Sequence, residues 1–198
     1  VLPDGTEQVI RTTQSTENGL VLTVEGEVTV KIVDNSTDFT DVPDSYWAAD
    51  AVAFVSAREL FNGTSAETFS PNAPTTRAQL MTVLARLDGV DASGASSLQQ
   101  GIAWAVENGV SNGSDPSAAI SRQQLVTMLY RYAGSPATEY ALDYPDAAQV
   151  SGYAADAMRW ALMYGILNGT SSGTLNPYGT ATRSQMAAIL MRYYALME

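Results

Sequence analysis

One segment occurs three times and constrains the fold more than anything else in the chain: TTRAQLMTVLARL (75–87), SRQQLVTMLYRY (121–132) and TRSQMAAILMRY (182–193). Each copy has a hydroxyl residue, an arginine, a glutamine two places later, an apolar stripe and a second arginine. The two arginines stand nine residues apart every time: Arg77 and Arg86, Arg122 and Arg131, Arg183 and Arg192. Apolar residues fall at i, i+3, i+4 and i+7: Leu80, Val83, Leu84 and Leu87 in the first copy, Leu125, Met128, Leu129 and Tyr132 in the second, Met186, Ile189, Leu190 and Tyr193 in the third. That is the stripe of an amphipathic helix. Units recurring at this length generally cannot bury their apolar faces alone. The three helices are therefore expected to pack together as a central bundle with pseudo-threefold symmetry, in a mainly α fold.

The hydroxyl before each arginine and the glutamine after it form the S/T-x-x-Q capping box: Thr76 with Gln79, Ser121 with Gln124, Thr182 with Gln185. Each first arginine is then the first helical residue, where its charge opposes the helix dipole at a cost of about 0.3–1 kcal/mol when exposed. The second arginines sit near helix ends, where the dipole favours them. An arginine beside exposed helix N–H groups makes an anion site, because guanidinium and dipole act together. Arg77, Arg122 and Arg183 are the expected ligand-binding residues on that ground. The architectural alternative pairs each with a nearby Asp or Glu.

A second helix is expected upstream of each copy. Phe54, Trp104 and Trp160 stand eight residues before the pairs Asn62-Gly63, Asn112-Gly113 and Asn168-Gly169. Trp104 and Trp160 align with Phe54 on the inner side of that helix and are expected in the core. Asn-Gly supplies the positive backbone dihedral of a tight reversal, so Gly63, Gly113 and Gly169 are expected at the turns. From that asparagine to the arginine is 15 residues in the first and third copies and 10 in the second. The unit is helix, Asn-Gly turn, loop, helix, with expected boundaries 38–90, 91–137 and 138–198.

Residues 1–37 have a different texture. VLTVEGEVTVKIV (21–33) is β-branched and alternating, with Gly26 as a turn, and reads as one or two strands. QVIRTT (8–13) reads as a partner strand, with Glu17-Asn18-Gly19 as a turn signal. The segment is expected to be a short β appendage or the tail of an upstream domain. Val1 is not an initiator methionine and no signal peptide is visible, so the chain is expected to be a piece of something longer.

Composition narrows the chemistry. A net charge of -11 with one lysine, Lys31, offers no basic patch to displace counterions from nucleic acid or an anionic membrane. An anionic ligand has to be met by individual arginines. There is no histidine and no cysteine, which removes the commonest general base, the commonest zinc ligand and any disulfide. No catalytic residue, metal site or cofactor is expected. A glycosidase with paired carboxylates would not present its site three times, and neither FTDVPD (39–44) nor SNGSDPS (111–117) matches a D-x-[DN]-x-[DN]-G calcium loop. The N-x-S/T matches at Asn35, Asn62, Asn112 and Asn168 read as turn chemistry.

Taken together, FTDVPDSYWAADAVAFV (39–55), ALDYPDAAQVSGYAADAMRWA (141–161), the Asn-Gly turns and the T-R-x-[EQ] signature resemble the surface layer homology (SLH) domains of bacterial envelope proteins, in the usual complement of three copies over residues 39–198. The resemblance implies a three-pronged fold and an extracellular, cell-wall or S-layer location. It implies noncovalent anchoring of an exported protein to the Gram-positive peptidoglycan wall. The partner it implies is a secondary cell wall polysaccharide, often bearing ketal-linked pyruvate. Carried over residue by residue, the signature arginine falls on Arg77, Arg122 and Arg183, the early aspartate on Asp41 and Asp143, and the aromatic on Trp47 and Tyr153. The middle copy has Ser97 where that aromatic would stand, so the grooves built with the first and third copies are favoured. A monomer is expected. The competing function is a structural protein–protein or S-layer lattice contact without glycan binding.

Overall fold

The computed structural model describes residues 1, 5–24 and 26–197. Its helices are α1 (Ala49–Ala57), α2 (Arg77–Leu87), α3 (Ser97–Glu107), α4 (Arg122–Tyr132), α5 (Ala155–Met163) and α6 (Arg183–Tyr194). A two-stranded antiparallel hairpin, β1 (Gln14–Thr16) and β2 (Gly19–Val21), precedes them. The fold is mainly helical.

Helices α2, α4 and α6 start where the capping boxes predict. In each, the Thr76, Ser121 or Thr182 hydroxyl accepts from the backbone N–H of the glutamine at the third helical position, and that glutamine's side chain accepts from the cap N–H. Their apolar stripes are buried, from Leu80 and Leu84 through Leu125 and Leu129 to Met186 and Leu190. Trp104 and Trp160 join this core as expected.

The packing is staggered along the chain. α3 lies on α2, α5 on α4, and α1 closes the circuit on α6. Backbone hydrogen bonds close it too. Thr75 N–H donates to Ala181 O (3.0 Å), Ala181 N–H to Ile120 O (2.9 Å), and Ile120 N–H to Thr75 O (2.8 Å). Just inside each helix the same exchange repeats. The N–H groups of Arg77, Arg122 and Arg183 donate to Ala118, Gly179 and Ala73 carbonyls. Those of Ala78, Gln123 and Ser184 donate to Pro116, Pro177 and Pro71 carbonyls. A helix leaves its first N–H groups without intrahelical partners. Here each helix fills them with another segment's loop.

The N-terminal segment departs from its expectation. The hairpin turns at Glu17-Asn18 as predicted, but it pairs Gln14 with Val21 and Thr16 with Gly19. QVIRTT is not the partner strand, and beyond Val21 no described residue lies in a strand. Alternation alone does not make a sheet. Val24, Val30 and Ile32 stay exposed, and an isolated two-stranded ribbon gains too little burial to grow. The segment nevertheless docks on the helices. Thr13 O accepts from Tyr194 Oη (2.9 Å) and Arg58 Nη2 (3.1 Å), while Arg11 Nη2 stands 3.9 Å from carboxylate oxygens of Glu59 and Asp91.

Inside the ring of three hydrogen bonds, Thr75 is fully buried, and among the described residues its Oγ1 has no hydrogen-bond partner. The corresponding ring positions are Ile120 and Ala181. A buried hydroxyl without a partner costs on the order of 1–3 kcal/mol. Thr75→Val keeps the shape and removes the orphan. It is expected to raise the unfolding free energy by about 1 kcal/mol, read as a higher urea midpoint at unchanged slope. A lower midpoint would mean that Oγ1 is hydrogen-bonded.

Candidate functional site: arginine clips and the grooves beside them

The helix-opening arginines reach across to loops of other segments. Arg183 donates from Nε to Phe69 O and from Nη2 to Asn62 O, each at 2.6 Å. Its guanidinium also covers the Phe61 and Phe69 rings, 4.0 and 4.5 Å from their centroids. Arg122 makes the same pair of bonds to Leu175 O (2.9 Å) and Asn168 O (2.8 Å). Arg77 donates from Nε to Ser114 O (2.9 Å), and its Nη2 is shared between Ser111 Oγ and Asn112 Oδ1 at 3.3 and 3.4 Å. Arg122 and Arg183 are buried and Arg77 half-buried.

The expected local arrangement therefore needs correcting. The helix N–H groups beside these arginines are not exposed to a ligand, because loop carbonyls fill them. Nor do the arginines form ion pairs with acids, since among the described residues none of their salt bridges appears. They clip the Asn-Gly turns through backbone carbonyls. Burial pulls the Arg183 guanidinium down to about 10, with Asp41 opposing the shift, so it stays charged at neutral pH. Burial lowers Arg122 as well, against the pull of Asp146.

The second arginines hold the same turns from the other side, a role that helix-dipole reasoning misses. Arg86 Nη1 donates to Leu60 O (3.1 Å), Arg131 Nη1 to Val110 O (3.3 Å) and Arg192 Nη1 to Ile166 O (3.5 Å). Each acceptor lies two residues before the asparagine. A further repeated signal was also available. Ser70-Pro71, Asp115-Pro116 and Asn176-Pro177 stand seven and six residues before the first arginines. Ser70, Asp115 and Asn176 all have positive φ (57, 47 and 49°), and the carbonyls of Pro71, Pro116 and Pro177 accept from the starts of α6, α2 and α4.

The Asn-Gly glycines do not share one reason. Gly113 has φ +72° as expected, but Gly63 and Gly169 do not have positive φ. A Cβ on Gly63 would fall 2.5 Å from Phe39 Cε1, and one on Gly169 would fall 2.8 Å from Tyr144 Cε1. In those two turns glycine is needed because an aromatic ring lies against the backbone. The left-handed residues are instead Glu59, Gly109 and Gly165, each just past a helix end, where this conformation commonly terminates helices.

The same rings correct an aspartate. Asp41 accepts from Phe69 N–H (2.8 Å) and Ser70 N–H (2.7 Å), fixing the loop that Arg183 grips. The matching pair in the third copy, Leu175 N–H (2.8 Å) and Asn176 N–H (2.7 Å), bonds to Asp146, not Asp143. Asp143 is exposed. Phe39-Thr40-Asp41 corresponds to Tyr144-Pro145-Asp146, and matching on Asp alone slipped the register by three residues. Trp47 and Tyr153 are exposed, at 60% and 57%, at the entries to α1 and α5.

Beside the first turn lies a cavity of about 350 Å³ that brings together Arg183, Arg86, Asn62, Gly63, Gln79 and Ser97. Among the described residues no carboxylate lines it. Arg183 and Gly63 meet there as expected, whereas Asp41, Trp47 and Tyr153 do not. Among the described residues, Nη1 of Arg77, Arg122 and Arg183 finds no protein acceptor, and none of these nitrogens is a buried orphan. Among the described residues no cluster of acids could hold a metal ion.

Burial works to raise the Asp146 carboxyl, but its bonds from Leu175 and Asn176 N–H, with Arg122 nearby, hold it below the ordinary range. The resulting stabilisation is present above the unfolded carboxyl's pKa of about 4 and is lost as pH falls through the folded value. Asp146→Asn is expected to lower stability by about 1.5–3 kcal/mol at neutral pH. Urea titrations at falling pH are expected to show the gap between the two proteins closing from about pH 4 downward. A gap constant with pH would remove the carboxylate's charge from the account.

Residues 38–81 and 143–187 match the family described as the S-layer homology domain. An endoglucanase of Bacillus sp. (strain KSM-635) is 28% identical over 79% of this chain and 18% of its own length. An amylopullulanase of Thermoanaerobacterium thermosulfurigenes is 26% identical, over 81% of this chain and 9% of its own. The exoglucanase XynX of Acetivibrio thermocellus is 25% identical, over 84% and 17%. The chain thus spans less than a fifth of each of these curated relatives. The matches put it among extracellular, cell-surface proteins, and its two matched stretches are sequence of the kind that anchors exported proteins to the cell wall.

Proposed function

We propose that this chain is a noncatalytic module that anchors an exported protein to the bacterial cell wall. It does so by binding an anionic, pyruvate-bearing secondary cell wall polysaccharide in grooves between repeats. The carrying observation is a cavity in a strongly acidic chain that is lined, among the described residues, by two guanidiniums, Arg86 and Arg183, and by no carboxylate. Such a cavity favours an anion small enough for a sugar-borne carboxylate. The Nε and Nη2 bonds of Arg183 pre-orient its guanidinium, so little side-chain entropy is lost on binding.

Residues 91–137 serve, on this reading, as a third, clipped copy, and the array has pseudo-threefold symmetry about α2, α4 and α6. Support comes from the capping box of α4, from the grip of Arg122 on the third copy's turn, and from the closed circuit of backbone hydrogen bonds. Grooves equivalent to the first then lie beside Gly113, with Arg77 and Tyr153, and beside Gly169, with Arg122 and Trp47. Asp41 acts by holding the loop that Arg183 grips, and Asp146 does the same in the third copy.

Co-sedimentation with purified sacculi tests the function. Wild type is expected to pellet with native wall and to stay in solution with wall stripped of its secondary polymer. Arg77→Ala, at the least buried of the three arginines, is expected to weaken binding at least about tenfold while thermal unfolding shows a folded protein. Equal binding to stripped wall would replace the polymer by the peptidoglycan itself. Absence of binding to native wall would favour a protein–protein lattice contact.

A further inference from the structure

The left-handed residue just past each upstream helix is a glycine in two copies, Gly109 and Gly165, and a glutamate in the first, Glu59, at φ 52°. That conformation crowds any residue with a Cβ, so Glu59 holds a strained position that glycine would relieve. Its side chain gives the strain a purpose. Arg11 Nη2 stands 3.9 Å from a carboxylate oxygen of Glu59 and 3.9 Å from one of Asp91. Leu60 and Ala92, the next residue in each case, give their carbonyls to Arg86 at 3.1 and 2.8 Å. One crossing of two chain segments is thus stitched twice, by Arg86 through the backbone and by Arg11 through side chains. Arg86 also lines the cavity beside Gly63, so the second stitch steadies a wall of that cavity.

Neither other copy has the acids for such a stitch. The equivalent positions are Gly109 with Pro136 and Gly165 with Met197, the latter of each pair standing five residues after Arg131 or Arg192 as Asp91 does after Arg86. Arg11 itself comes from outside the repeats, on a segment pinned close by. Thr13 O accepts from Arg58 Nη2 and Tyr194 Oη, and Gln14 Nε2 donates to Met197 O (3.3 Å). The Arg11 side chain is 16% exposed, and its Nε is buried without a partner among the described residues. The two carboxylates must offset that cost.

We propose that Glu59 and Asp91 form a receptor for Arg11, and that residues 11–14 are a releasable latch on the first copy, closing the seam between α1, α6 and the loop after α2. Both carboxylates are partly exposed, so they hold the segment by a modest margin. The latch opens without unfolding the helices, and it does not depend on what the cavity binds.

Trypsin reads the latch, because the Arg11–Thr12 bond can be cut only when the segment is undocked, and the rate then follows the undocked population. The bond after Lys31, whose side chain is 54% exposed, is the internal reference. Both are taken as initial rates on the intact chain. Wild type is expected to be cut quickly after Lys31 and slowly after Arg11. In Glu59→Gly/Asp91→Asn the Arg11 cut is expected to speed up about three- to tenfold relative to the Lys31 cut. An unchanged ratio overturns the receptor. Thermal unfolding supplies an independent sign. Glu59→Gly relieves the strained backbone in any background, but it loses the ion pair only where Arg11 is present. It is therefore expected to raise the melting temperature by about 2 °C more in Arg11→Ala than in wild type. Equal shifts in the two backgrounds overturn the latch and leave wall anchoring untouched.

Discussion

The first N–H groups of α2, α4 and α6 govern this structure. A helix start leaves several donors that must find acceptors or be hydrated. Here the cap hydroxyl takes one, and the next segment's loop takes two more through backbone carbonyls. Because each helix depends on a loop that belongs to another segment, none of the three is complete by itself. The bond of Thr75 to Ala181, of Ala181 to Ile120 and of Ile120 back to Thr75 closes the dependence on itself. Closure also accounts for α1 packing on α6 across the whole length of the chain.

The arginines follow from the same arrangement. A cation at the first helical position opposes the dipole by about 0.3–1 kcal/mol when exposed. Hydrogen bonds from a charged donor contribute about 1.5–3 kcal/mol each, so the bonds each guanidinium makes, to two carbonyls from Arg122 and Arg183 and to one carbonyl and two side-chain oxygens from Arg77, outweigh the penalty. Lysine would not substitute, because the grip uses two nitrogens of a planar fork. The clip spends Nε and Nη2 and leaves Nη1 over. An architectural arginine thereby becomes a fixed cation beside each turn, with its orientation settled before any ligand arrives.

Periodicity and capping chemistry made the three core helices legible from the sequence, along with the burial of Trp104 and Trp160, because both signals are local. The partners of Arg77, Arg122 and Arg183 were not legible, since Phe69 and Asn62 lie more than a hundred residues from Arg183 and are engaged through backbone atoms that carry no side-chain signature. The aspartate slip has a similar origin. ALDYPDAAQV offers two aspartates, and only long-range contacts, the bonds of Leu175 and Asn176 N–H to Asp146 and Tyr144 against Gly169, show which of them matches Asp41. The N-terminal strands failed for another reason. Alternation at Val24, Val30 and Ile32 marks residues able to pack in a sheet, and the two-stranded β1–β2 ribbon does not extend to receive them.

Architecture and recognition load different positions, and this explains why the grooves can diverge. The arginines that clip the turns carry an architectural load in all three copies. The residue seven places before Phe54, Trp104 or Trp160 has no such duty: it is Trp47, Ser97 and Tyr153 in turn. Ser97 lies in the cavity with Arg86 and Arg183, and Trp47 and Tyr153 are exposed, so under the proposed function this is the position at which the grooves differ in what they offer a ligand. A polymer with a repeating unit can engage more than one groove on a rigid body, and the second engagement is then intramolecular. Unequal grooves suit such a ligand. One groove can fix the register of the chain while a plainer one adds retention, and the ring of hydrogen bonds keeps the spacing between them constant.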